Sequence, residues 1–157
     1  MDLNGDGSIT SRELQQTLRQ IQAGSEFCLK TVELLIAKYD KNGDREIEFS
    51  EFTDLFNNLN EEFENFLMMD SDDSGTIDLD EFESSFTKKG YNFSHDFFKS
   101  IIHELHKHTG VYGLKFDNYI RIMARFDFLC KSYRNTPYFH KHSLEQYLKK
   151  TFFQDFW

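Results

Sequence analysis

A chain of 157 residues with 39 % apolar residues, 18 phenylalanines, eight glycines and one proline has ample material for one compact domain or two small lobes, and little for disordered linkers. Its formal charge of −9 excludes general nucleic-acid binding, because nothing here neutralises a run of phosphates; a cationic partner suits it better. No apolar run approaches the ~18 residues of a spanning helix, and Met1-Asp2-Leu3 starts neither a signal peptide nor a lipidation motif, so any membrane contact is expected to be peripheral.

In chain order, the first element is the twelve-residue segment DLNGDGSITSRE, Asp2 to Glu13, followed by a helical pattern. The same design returns as DKNGDREIEFSE from Asp40 to Glu51 and as DSDDSGTIDLDE from Asp70 to Glu81. Between the second and third segments Phe52, Leu55, Phe56, Leu59, Phe63, Phe66 and Leu67 form one stripe at helical spacing. Only 18 residues separate Glu51 from Asp70, without Gly or Pro, so one helix is expected to leave the second segment and enter the third. The segments start 38 and then 30 residues apart, which argues against two separate, evenly spaced lobes. Further on, Ser94 can cap a helix carrying Phe97, Phe98, Ile101, Ile102 and Leu105. Another helix is expected from about Asp117 to Cys130, and a last amphipathic one carries Leu144, Tyr147, Leu148, Phe153, Phe156 and Trp157.

The three acidic segments match D-x-[DN]-x-[DN]-G-x5-E, the calcium loop of the EF-hand. Calcium takes six to eight oxygens at ~2.3–2.6 Å, and short Asp, Asn and Ser side chains let a tightly wound loop deliver them. The first loop offers Asp2, Asn4, Asp6, the Ser8 carbonyl, Thr10 through water, and Glu13, with Gly7 at the turn. The second offers Asp40, Asn42, Asp44, the Glu46 carbonyl, Glu48 and Glu51. The third offers Asp70, Asp72, Ser74, the Thr76 carbonyl, Asp78 and Glu81, with Gly75 at the turn. In the second loop Arg45 stands where the backbone needs a positive φ, at a cost of about 1–2 kcal/mol and about ten-fold in affinity. Ile9, Ile47 and Ile77, all at position 8, are the β-branched residues that pair loop with loop.

Lys107 to Asn118 has the length of a fourth loop, with Leu114 at position 8. Lys107, Val111 and Asn118 replace its ligands, so it is expected to be kept for packing without metal. A short acid-free stretch from Thr136 to His142 with the helix after it, within residues 133–157, reads as a fifth, vestigial hand.

Five hands with a helix shared between the second and third resemble the penta-EF-hand family over the whole length, and most nearly its apoptosis-linked adaptors. The residues that carry this are Ser11 to Leu18, Ile47 to Phe52, Ser74 to Phe82, Phe116 to Ile120 and Ser143 to Leu148. The resemblance implies an all-α EF-hand array with short loop-to-loop β bridges in a single domain, residues 1–157. It also implies pairing of hands one with two and three with four, and a homo- or heterodimer through the fifth. The fifth loop is about four residues shorter than the family's, and the chain begins inside the first loop without its entering helix, so the sequence is expected to be truncated there.

The expected function is that of a Ca2+-dependent sensor or adaptor that exposes apolar surface to Pro-rich or amphipathic peptides of partner proteins, in the cytoplasm or recruited to endomembranes. The alternatives are a calcium buffer or storage protein and a regulatory subunit of a calpain-type protease. Three bound ions would bring the charge from −9 to about −3. No catalytic residue is expected: HELHKH around His103, His106 and His108 lacks the second histidine of H-E-x-x-H and reads as solvated helix-end histidines. Cys28 and Cys130, each in an apolar helical pattern, read as reduced, buried thiols of an intracellular protein.

Overall fold

The computed structural model describes residues 5, 7–21, 27–135 and 143–154. Each acidic loop in it ends where a helix begins, because the loop's own acids cap that helix. β1 (Ser8–Ile9) leads into α1 (Ser11–Ile21); α2 (Leu29–Tyr39) leads through the second loop to β2 (Ile47–Glu48) and α3 (Phe49–Met69); α4 (Leu79–Lys88), α5 (His95–Thr109), α6 (Phe116–Arg134) and α7 (Leu144–Thr151) complete the order. The shared helix is α3, whose 21 residues run from the end of the second loop to Asp70, the first residue of the third.

The loops pair side by side. β1 and β2 are antiparallel, with Ser8 opposite Glu48 and Ile9 opposite Ile47. Ile77 and Leu114 exchange both backbone hydrogen bonds, Ile77 N–H to Leu114 O at 2.9 Å and Leu114 N–H to Ile77 O at 2.8 Å. That closeness requires glycine at position 113: its φ is +94°, and a Cβ there would lie 3.2 Å from the Ile77 carbonyl oxygen and from Thr76 Cβ.

The stripe on α3 turns Phe52, Leu55, Leu59 and Phe66 into the core, leaves Phe56 and Phe63 half-buried against it, and puts Leu67 outside. The core is largely aromatic. Phe116, at the start of α6, meets Phe27, Phe63 and Phe66 edge-on with centroids at 5.8, 5.0 and 5.4 Å. Phe86 of α4 does the same with Phe82, Phe98 and Phe126 at 5.1, 5.5 and 5.0 Å.

Helix ends follow local chemistry. Ser94 accepts from Phe97 N–H at 3.3 Å and starts α5, and Gly110 ends it in the left-handed conformation. Ser143 and Gln146 form a capping box that starts α7. Arg125 of α6 donates to the Thr151 and Phe152 carbonyls at 3.0 and 3.1 Å and to that of Gln154, satisfying the open C-terminal end of α7.

Three details differ from the sequence reading. α6 starts at Phe116 and runs on past Cys130 to Arg134, the polar residues after the stripe continuing the turn. Cys28 lies at the N-cap of α2 rather than within a helix. His106 is not solvated like its neighbours: its ring stacks on Tyr112 at 3.7 Å and its Nδ1 is buried. Residues 136–142 of the fifth hand, and Phe156 and Trp157, lie outside the described residues.

Candidate metal centres

In both the second and the third loop the backbone is wound around two carboxylates. The first Asp gathers the amides of the turn: Asp40 accepts from Gly43 N–H at 2.6 Å and Arg45 N–H at 2.8 Å, and Asp70 accepts from Ser74 N–H at 2.9 Å and Gly75 N–H at 2.8 Å. The closing Glu bridges the two ends of the loop. Glu51 takes Lys41 N–H at 2.8 Å and Glu48 N–H at 3.1 Å, one on each oxygen; Glu81 takes Ser71 N–H at 2.8 Å and Asp78 N–H at 3.0 Å in the same way. In the first loop Glu13 accepts from Thr10 N–H at 2.9 Å and Thr10 Oγ1 at 2.7 Å, while Asp2, Asn4 and Asp6 lie outside the described residues.

These bonds leave acceptor capacity, since an ionised carboxylate has about four lone-pair sites and each oxygen of Glu51 spends one on a backbone N–H. In the third loop the geometry fits an ion directly. Ligand oxygens of Asp70, Asp72 and Glu81 lie within 4.8 Å of one another, and two oxygens sharing one calcium at ~2.3–2.6 Å are at most about 5 Å apart. Among the described residues no second trio of carboxylates converges so closely. Ser74 donates its hydroxyl to the Thr76 carbonyl at 2.9 Å, which brings two further expected oxygens together, and Asp78 accepts from Glu81 N–H at 2.9 Å at the start of α4.

The electrostatics keep the third loop anionic. The Ser74 hydroxyl, with the Ser74 N–H, holds the Asp72 carboxyl below its usual range. Burial pushes the Glu81 carboxyl up, but the Asp78 N–H and the hydroxyl and N–H of Ser71 outweigh it and leave it below the usual range.

In the second loop Asn42 accepts from Asp44 N–H at 3.0 Å and donates to Asp44 Oδ2 at 2.8 Å and Glu48 Oε1 at 3.3 Å, so its carboxylates are spanned by an amide rather than drawn together. Arg45 holds φ +69° there, as Gly75 holds +78° in the third loop. Glu46 receives the Ser8 hydroxyl across the β1–β2 ribbon, tying the first loop to the second.

Two contributors escape the loop pattern. Ser71, at a variable position, donates its hydroxyl to Glu81 at 2.7 Å as well as its N–H. Lys41, equally unconstrained, pairs with Asp54 on α3 at 2.8 Å. A Ser next to the first ligand is the only trace of the former in the sequence, and an i to i+13 charge pair gives no signal at all.

Residues 1–57 match the family EF-hand domain pair, and residues 63–87 match the family EF hand. Grancalcin of Mus musculus is 27 % identical over 154 residues, covering 96 % of this chain and 66 % of grancalcin. Sorcin of Mus musculus is 32 % identical over 133 residues, covering 82 % of this chain and 65 % of sorcin. A solved homolog of programmed cell death 6 protein from Leishmania major Friedlin superposes with a TM-score of 0.67 at 31 % identity, covering 85 % of this chain and 77 % of that one. The chain belongs to the penta-EF-hand family.

As a penta-EF-hand protein it is a calcium-binding, helical EF-hand array. It spans slightly less than two thirds of the length of grancalcin or sorcin. The penta-EF-hand chain's two thiols lie apart from this chemistry. Cys28 Sγ is 3.2 Å from Thr31 Oγ1, and burial pushes the Cys130 thiol up to about 11, away from the thiolate.

Proposed function

We propose that this penta-EF-hand protein is a Ca2+-dependent sensor that turns calcium binding into exposure of apolar surface for a partner protein. The observation that carries the proposal is the place of Glu81. Its carboxylate converges with Asp70 and Asp72, at the end of α3, while its backbone is in the first turn of α4. Drawing that carboxylate inwards therefore moves α4 against α3, the motion by which sensor hands open. A calcium ion in the loop supplies two positive charges that offset the repulsion among these acids.

The proposed ligands are Asp70, Asp72, Ser74, Thr76, Asp78 and Glu81 in the third loop and Asp40, Asn42, Asp44, Glu46, Glu48 and Glu51 in the second. In the first they are Asp2, Asn4, Asp6, Ser8, Thr10 and Glu13. A cytoplasmic place, recruitment to membranes and dimerisation through the fifth hand belong to the same reading. A role without catalysis agrees with the raised Cys130 thiol, which disfavours a thiolate nucleophile.

The test is an apolar-dye titration with calcium in millimolar magnesium. A fluorescence rise at micromolar calcium, abolished by Glu81→Gln, is the expected result. Calcium uptake with no rise would mark a buffer instead.

A further inference from the structure

The fourth hand has lost its ligands, yet its exit helix is pinned to both helices of the second hand. At the start of α6, Asp117 Oδ1 accepts from Cys28 N–H at 3.2 Å, at the N-terminus of α2. Half a turn on, the fully buried Tyr119 donates its hydroxyl to Glu62 Oε2 at 2.7 Å, in the middle of α3. Between them Phe116 wedges its ring against Phe27 before α2 and against Phe63 and Phe66 on α3. One turn from Glu62, Asn58 takes the Tyr39 hydroxyl at 2.5 Å, and Tyr39 is the last residue before Asp40, where the second loop begins. Two residues before Phe116, Leu114 is locked to Ile77 inside the third loop.

We infer that the metal-free fourth hand is a coupling element: through the Tyr119–Glu62 bond and the Leu114–Ile77 bridge, the occupancy of the second loop sets the calcium affinity of the third. This rests on the calcium-sensor reading. A hand responds by shifting its exit helix against its entering helix. Here α6 is held to both, so a shift of α3 against α2 loads the first turn of α6. That turn is two residues from the bridge into the third loop. Close-packed rings transmit such a displacement instead of absorbing it. The coupling is a free energy and therefore reciprocal, so the third loop biases the second by the same factor.

The experiment is a thermodynamic cycle by calorimetry on the full chain with the first loop silenced by Glu13→Gln. Calcium affinity of the third loop is measured with the second loop intact and with Glu51→Gln, and that of the second with and without Glu81→Gln. The expected result is a coupling of about ten-fold, the same in both directions, that falls below about three-fold in Tyr119→Phe. That variant keeps the buried ring and loses only the hydroxyl; Glu62→Ala removes the same bond from the solvent-facing side and must give the same loss.

A coupling unchanged in both variants overturns the inference, because the shared helix α3 then carries it alone. Independent filling of the two loops, or a second loop that takes no ion, overturns it and leaves the sensor reading standing on the third loop. Failure of both loops to take calcium removes the reading and the inference together.

Discussion

Arg45 occupies the left-handed region at φ +69°, where a side chain costs about 1–2 kcal/mol and glycine costs nothing. The loop tolerates it because Arg45 N–H is needed by Asp40, at 2.8 Å, and the side chain points to solvent. Arg45→Gly keeps that amide and relieves the strain. Calorimetry in a Glu81→Gln background should then show the affinity of the second loop rising several-fold, up to about ten-fold. The residue type was legible in the sequence, since the pattern asks for glycine at that place. That the chain accepts the strained angle instead of abandoning the turn was not, because the decision lies with the hydrogen bonds around Asp40.

At the scale of elements, the N-terminus of α2 has no side-chain cap of its own and borrows Asp117 from α6. Burial pushes the Asp117 carboxyl up; Thr31, the Cys28 N–H and Arg121 pull it down but do not outweigh the burial. A carboxyl raised in the folded state binds its proton more tightly there than in the unfolded chain. Its contribution to stability is therefore full below the unfolded pKa and is lost as pH rises through the folded one. Asp117→Asn, the neutral isostere that still accepts from Cys28, should remove that loss. In chelator, denaturant melts should show the variant matching the wild type at low pH and at least equalling it at pH 7. An equally steep decline in both proteins would show that Asp117 does not govern it.

For the whole molecule, the charge of −9 is concentrated in the acidic loops, of which the third brings carboxylates together, so chelation should leave the fold less stable. A site filled at about a hundred times its dissociation constant adds about 2.7 kcal/mol. For a chain of this size that is roughly 5–10 °C in melting temperature. Calorimetric scans in calcium and in EGTA should differ by at least that, and Glu81→Gln should remove a large part of the difference. Equal melting temperatures in the two conditions would contradict the proposal that Asp70, Asp72 and Glu81 share one ion.

The sequence by itself determined what is local and periodic. Twelve-residue spacing of oxygens specified the loops, Ile at position 8 named the residues that pair them, and the stripe from Phe52 to Phe66 with no Gly or Pro dictated one continuous α3. Each of these rests on contacts within a few residues, so the physics that selects them is written in consecutive letters. Only the tertiary structure decided that the carboxylates converge in the third loop and that Asn42 spans those of the second. It alone placed the His106 ring on Tyr112, and joined Asp117 to Cys28 and Tyr119 to Glu62, 89 and 57 residues apart. A hydroxyl or a carboxylate carries no mark of its distant partner. Its bond exists because packing of the apolar faces of α2, α3 and α6 brings those two polar groups side by side, out of water, where a polar group needs a partner.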